Sequence, residues 1–420
     1  MIQIGQNVNL DELAEKHWMW LKRKINYDEI KKKPYNDCVK ILNDLKKTEV
    51  EKKNCALKVI LKDHLYDQLE GVIKASLVQL KNIKQNTPSL FLNDNYFILK
   101  RKLETKQEKL KETLKKWHNQ CNIANGKKRT SEEVKEKQRL RQEYKNQKIE
   151  YDYLKSEKDR IYSEFVSNIT VRYLKKDESG LKKERSIPVN LNDLLHYDNL
   201  RDDPEWNAYV LCNSLNVSVC PYCNRQYIFL AEKHEGGWIS SAQLDHFLPK
   251  SSNPLFSCSF YNLIPSCYCC NHGKLDSSEE TIYPYADSFE KDGIFCIDFS
   301  EEKKIEDLNL QKDIVVKIDV TECRKKTLIE NSKKVFHLEE LYNKHQLEIH
   351  DFVKRFNCCM ECRQRDFQNI TIREDLLNDN QKSELILGMP LDAEATEYPL
   401  KKMKTDILEQ LEKKVAFKLR

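Results

Sequence analysis

Apolar residues recur at intervals of three and four through residues 1–90, the spacing that lines one face of an α-helix. DELAEKHWMWLKRKI is one such segment. Val39, Ile41, Leu42 and Leu45 form a further apolar face, and Leu57, Ile60, Leu61, Leu65 and Leu69 another. The pattern predicts packed helices, with Trp18 and Trp20 in the core or on a docking surface. A loop with turn residues, NTPSLFLNDNY (86–96), ends this region. A longer and more polar helical run follows, roughly 95–165. It breaks near NIANGKKRT (122–130), where Asn125–Gly126 suits a turn. Two helices folded back on one another are expected there, as a coiled-coil-like arm.

The period changes near residue 166. ITVRYL, KKDESG and LKKERSIPV read as strand, turn and strand, with Ser179–Gly180 at the turn. One or two short helices then lead through 190–217. WISSAQLDHF reads as a strand that ends at Asp245–His246, and Pro249 stops it. GIFCIDF (293–299) reads as a strand and EDLNLQKDIVVKIDV (306–320) as a strand pair. From about 321 the chain is helical again, with a last helix near 400–417. The predicted architecture is mainly α around a central α+β domain. Its expected parts are an N-terminal helical region (1–94), a helical hairpin arm (95–166), a central domain (167–300, core 217–290) and a mainly helical C-terminal region (301–420).

Composition narrows the function classes. Charged residues make up 33% of the chain, with 9 Gly and 11 Pro, which favours long helices over a Gly-rich sheet protein. The net charge of +5 permits nucleic-acid binding without requiring it. The arm is more basic: residues 101–160 hold 19 Lys and Arg against 11 Asp and Glu. Interspersed Glu argues against one continuous basic face. The chain starts without an apolar signal segment and has no run of 18 apolar residues, so a cytoplasmic protein without a membrane span is expected. Fifteen cysteines, several in Cys-x-x-C pairs, fit thiolate metal ligation in a reducing compartment better than disulfides. No Gly-rich phosphate loop occurs, so no ATPase is expected in the chain itself.

Two of those pairs, Cys220/Cys223 and Cys267/Cys270, can close a tetrahedral zinc site. Cys269 and Cys258 are nearby alternatives that spacing disfavours. The 43 residues between Cys223 and Cys267 exceed the roughly 15–20 of a small zinc ribbon. The span is therefore expected to fold, with zinc pinning its ends. Inside it, His246 suits a general base. Asp245 and Asn271 offer oxygen donors for Mg²⁺ or Mn²⁺, and Asn262 can orient the His246 ring. Lys250 and Lys274 are candidate phosphate contacts. Cys359 and Cys362, preceded by Cys358, lack a matching second pair and read as ordinary helix cysteines. His345 and His350 are five apart, which weakens a metal reading.

These residues carry a resemblance. CPYCNR (220–225), QLDHFLPKS (243–251) and YNLIPSCYCCNHGK (261–274) resemble HNH endonucleases of the zinc-knuckle type, which have the ββα-metal fold. More narrowly, they are similar to the PtuB-like HNH component of Septu-type and retron-linked anti-phage systems. TIYPYADSF (281–289) and the helix FHLEELYNKHQLEIHDFVKR fit segments that follow the site there. The resemblance implies DNA cleavage that leaves 5′-phosphate ends. His246 would be the base, Asn262 its orienting residue, and Asp245 and Asn271 the ion's ligands. It also implies an ABC- or SMC-like ATPase partner, or a retron reverse transcriptase complex. Many HNH enzymes carry His where this chain has Asn271, so His272 is an alternative ligand. Two other expectations stand beside DNA cleavage: an RNA- or tRNA-cleaving nuclease, and a non-catalytic zinc-ribbon scaffold that binds nucleic acid or protein.

Overall fold

The computed structural model describes residues 1–44, 47–92, 94–122, 130–168, 170–176, 182–188, 190–200, 203–277, 279–298, 314–368 and 379–418. Leu45 and the turns expected at Asn125–Gly126 and Ser179–Gly180 lie outside them. The chain is mostly helical, with four small antiparallel sheets among the described residues. It folds as two compact units. A helical unit comprises Trp18–Asp198 and Leu248–Ser259; a knuckle unit comprises Met1–His17, Asn199–Phe247 and Phe260–Arg420. No described helix is long and apolar enough to cross a membrane.

In the helical unit the stripe from Leu57 to Leu69 becomes core, whereas Val39, Ile41 and Leu42 are only half-buried. The helix Glu49–Asp67 starts at a capping box, in which Glu51 N–H donates to Thr48 Oγ1 (3.2 Å) and Thr48 N–H to Glu51 Oε2 (3.0 Å). Leu57, Leu61 and Leu65 of this helix are buried together with Leu69, while Ile60 is half-buried. Trp18 and Trp20 are core residues; Trp18 meets Tyr27 edge-on at 5.0 Å, and Tyr27 stacks on Tyr66 at 5.3 Å. The buried Lys58 ammonium donates to the carbonyls of Lys31 (2.8 Å) and Lys33 (2.7 Å), which satisfies the end of the helix Tyr27–Lys32. The arm is an antiparallel pair, Asp94–Asn122 and Ser131–Asn168. Leu103, Leu110 and Leu140 are buried along it, Thr113 Oγ1 donates to Gln147 Oε1 (3.2 Å), and Lys106 pairs with Glu150. Strands β1 (Thr170–Lys176) and β2 (Lys182–Pro188) form the expected hairpin.

In the knuckle unit β3 (Leu230–Glu232) and β4 (Trp238–Ser240) make a hairpin across Gly236–Gly237, both at positive φ. β5 (Ala242–His246) pairs with β6 (Leu263–Cys267), from Ala242↔Cys267 to His246↔Leu263. The single strand expected over WISSAQLDHF is thus two strands in different sheets. They part at Ser241, whose hydroxyl accepts from Phe229 N–H (2.7 Å), while Ser240 Oγ donates to the Ala242 carbonyl (2.9 Å). Serine side chains compete here for backbone partners, which alternation of apolar and polar residues does not reveal.

β7 (Gly293–Asp298) pairs with β8 (Val315–Val320). Of the strand pair expected over 306–320, one strand is described and its partner is β7; residues 306–313 lie outside the described set. Helix side chains close both edges of this sheet. Phe295 and Ile297 N–H donate to Asp406 (2.8 Å) and Gln410 (3.0 Å), and Val316 and Ile318 N–H donate to Asn343 and Glu339 (2.8 Å each). Exposed strand edges are thereby blunted.

The segment before the last helix, Lys401–Lys418, is latched to the first knuckle through Asn224. Asn224 is fully buried at φ 47°. Its side-chain amide donates to the carbonyls of Ala395 (2.6 Å) and Tyr398 (3.2 Å) and accepts from Lys402 N–H (3.1 Å). Asn224→Ala should cost about 2–4 kcal/mol, from orphaned buried carbonyls and a left-handed backbone. Asn224→Gly, which relieves the backbone but lacks the amide, should lose most of this as well. Denaturant midpoints of the two variants test the latch.

Candidate metal centre and active site

The sequence CPYC folds into a tight turn because backbone groups close around it. Cys220 N–H donates to the Gln226 carbonyl (2.9 Å), Asn224 N–H to the Cys220 carbonyl (2.8 Å), and Val219 bridges Tyr227. The second knuckle is a strand-to-helix junction: Cys267 ends β6, and Cys270 lies in the first turn of the knuckle helix Tyr268–Lys274. Cys220, Cys223, Cys267 and Cys270 are all buried, and their sulfurs lie within 4.8 Å of one another, with Cys223 and Cys267 at 4.0 Å. A tetrahedral ion with bonds of about 2.3 Å places its sulfurs about 3.8 Å apart, so donor set and spacing fit a metal such as zinc. Hydrogen bonding, from Cys220 first, holds the Cys223 thiol well below its ordinary range, and the same partner lowers Cys267. Tyr342 hydroxyl donates to the Cys223 carbonyl, and Phe336 stacks on Tyr222 at 4.4 Å.

Directly beside this cluster, β5, β6 and the knuckle helix form a β-β-α unit. Gln243 and Asp245 alternate onto one side of β5. Asn271 Nδ2 donates to Gln243 Oε1 (2.7 Å). Asp245, 4% exposed, accepts from the Tyr222 hydroxyl (2.6 Å) and pairs with the Lys274 ammonium (3.1 Å). Lys274 also donates to the His246 carbonyl (2.6 Å). Burial, then the Asp245 carboxylate, pushes the Tyr222 hydroxyl far above its ordinary value, so it stays a donor. One side of the hairpin therefore gathers Asp245, Asn271, Lys274, Gln243 and Tyr222.

His246 and Asn262 are joined through the strand register. His246 faces Leu263, and the next residue, Phe247, donates its N–H to the Asn262 carbonyl (2.9 Å). Both side chains are buried. The tyrosines of TIYPYADSF brace this turn from behind. Tyr283 donates to the Tyr261 carbonyl (2.7 Å) and Tyr285 to the Leu263 carbonyl (2.9 Å), so the backbone is held on both sides of Asn262.

The other sequence candidates take the following places. His272 is exposed and stacks on Tyr268 (5.2 Å, 8°), while its neighbour Asn271 meets β5. Lys250 belongs to the helical unit, exposed, with its ammonium 4.6 Å from the Tyr197 ring. Cys258 is buried in that same unit and donates to the Leu195 carbonyl (3.2 Å), and Cys269 is exposed. His345 lies 3.4 Å from the Arg225 guanidinium. Cys358 is exposed, and the side chains of Cys359 and Cys362 lie outside the described residues. Among the described residues the four-cysteine group is the one cluster of His, Cys, Asp and Glu with metal-ligand spacing. Tyr222 and Gln243 are the site residues that sequence reasoning missed. Tyr222 has a local signal, its place inside the knuckle turn beside two thiols. Gln243 has the alternation that puts it on the Asp245 side.

Comparison with family models, with characterised proteins and with solved structures finds no match to this chain. Metal analysis of the purified protein should find about one zinc per chain. Cys223→Ser or Cys270→Ser should lose it and unfold the knuckle unit, whereas Cys269→Ser and Cys258→Ser should retain it. Retention of full zinc by Cys270→Ser would remove the assignment of the four ligands.

Proposed function

We propose that the knuckle unit is a metal-dependent HNH-type endonuclease that hydrolyses phosphodiester bonds, most simply of DNA. The observation that carries this reading is the β-β-α unit itself. A four-thiol cluster anchors a hairpin and a helix that bring Asp245 and Asn271 to one side of β5, with His246 and Asn262 joined at its end. Zinc at the four cysteines would be structural. Asp245 and Asn271 present oxygen donors only, which suits Mg²⁺ or Mn²⁺ and not a thiolate-seeking ion. Such an ion would neutralise phosphate charge and the leaving oxygen. His246 would take the proton from the attacking water, with its ring held by the neighbourhood of Asn262. The resemblance to PtuB-like proteins supports a role in phage defence with an ATPase partner, and an RNA substrate remains the alternative within the same chemistry.

One observation favours a second reading, a zinc-stapled binding module. Asp245 is already engaged by Tyr222 and Lys274 inside the protein, as a structural ion pair would be. In the nuclease reading, the same ammonium competes with the ion for Asp245. Lys274→Met separates the two. Stability falls in both cases because a buried charge loses its partner, by about 3–5 kcal/mol. A catalytic site should then bind Mn²⁺ about tenfold more tightly or better, measured by paramagnetic resonance or calorimetry. A structural pair leaves Mn²⁺ binding unchanged.

The activity test is plasmid cleavage with Mg²⁺ or Mn²⁺, by the protein alone and co-expressed with an ATPase if one is encoded beside it, with RNA run in parallel. His246→Ala should lower the rate by at least about 100-fold while zinc content stays constant. A His246→Ala protein that cleaves at the wild-type rate would refute the assignment.

A further inference from the structure

The arm of the helical unit carries a feature outside the site described above. Between its two helices lies an open groove of about 420 Å³ lined by Arg101, Lys102, Lys106 and Lys109 from one helix and by Glu150 and Leu154 from the other. Elsewhere on the arm four basic residues make intrahelical pairs, Lys116 with Glu112, Arg139 with Glu136, Lys148 with Asp152 and Arg160 with Glu157, while others such as Lys135 and Arg141 are exposed singly. The groove is set apart by gathering four basic side chains around one acidic one. Lys102 and Lys109 are exposed and have no carboxylate partner among the described residues, and Glu150, bridged to Lys106, is the one acidic group in the lining. Glu104 and Glu108, on the same helix, do not line it.

In a chain whose opposite charges nearly balance, 72 against 67, this segregation is local and of one sign. Lys102, Lys106 and Lys109 form a row about 10 Å long, matched to two or three successive phosphates on a nucleic-acid strand. The lining has one apolar side chain, Leu154, whereas a protein partner would call for an apolar centre. We propose that this groove binds the phosphate backbone of a nucleic acid, with Lys102 and Lys109 making the contacts and Glu150 holding Lys106 back. Binding here is independent of sequence and of the chemistry at His246, so it stands or falls apart from the nuclease reading.

The test uses the full chain, a fluorescein-labelled duplex DNA of arbitrary sequence and no added divalent ion. Affinity is measured by anisotropy between about 50 and about 200 mM salt. Lys102→Gln with Lys109→Gln should reduce the slope of log affinity against log salt by about two, and Glu150→Gln should tighten binding and steepen that slope. Lys135→Gln with Arg141→Gln removes the same charge from the arm more than about 10 Å along the helix from Glu150. This control should leave the slope within about half a unit of wild type. Equal loss in the control pair, or no change in the groove pair, would overturn the proposal. Helical content by circular dichroism, unchanged in every variant, excludes unfolding as the cause.

Discussion

The convergence of four buried sulfurs is the constraint on which the knuckle unit depends. Cys220 and Cys223 sit on a turn, Cys267 and Cys270 on a strand-to-helix junction, and 43 residues lie between the inner pair. Closing so long a loop costs conformational entropy that grows only slowly with length, so a metal clip across it is worth most where the loop is long. The cysteine cluster also spans the junction where β6 ends and the knuckle helix begins. β5 pairs with β6 from the cluster outward, so Asp245 and His246 take their places by register from Ala242↔Cys267. A slip of one residue would send Asp245 to the opposite side and part it from Asn271.

The helices that follow cover the backbone around this cluster. Tyr342 satisfies the Cys223 carbonyl, Phe336 covers Tyr222, and Tyr222 in turn holds Asp245. Side chains of the C-terminal helix and of the helix-loop segment around Asn343 close both edges of β7–β8. Removing one layer leaves buried carbonyls or strand edges without partners, and each such group costs about 1–3 kcal/mol. These polar contacts sit on an apolar core that includes the fully buried Phe260, Phe289, Phe295, Phe336, Phe352 and Phe356.

What could be read from the sequence follows from the range of the forces involved. The knuckles and the arm helices rest on spacing within one or two turns and stand as the pattern implies, and the capped helix Glu49–Asp67 does so apart from a kink at Lys62, where φ is 58°. The long-range pairs do not announce themselves. Lys274 looks like a surface cation at the end of a basic helix, yet its ammonium is buried against a carboxylate 29 residues earlier. Asn271 and His272 are equivalent as letters. They separate only because consecutive residues on a helix point about 100° apart, so one meets β5 and the other faces solvent. The break at Ser241 was hidden for a related reason: it depends on a hydroxyl finding Phe229 twelve residues away.

Asp245 concentrates the remaining tension. A buried carboxylate with a hydroxyl donor and an ammonium is already satisfied, and a satisfied buried pair resists exchange because separating it leaves a charge in a medium of low dielectric. A divalent ion could displace the ammonium only by bringing more charge and its own oxygen ligands; Asn271, whose Nδ2 donates to Gln243, is the nearby amide on that side of β5. Lys274 also donates to the His246 carbonyl, so its displacement would be felt at the next residue along the strand. The arrangement thus couples the occupancy of the Asp245 side to the setting of the His246 backbone. Lys274 is therefore the residue that ties the Asp245 carboxylate to the His246 backbone in this hairpin.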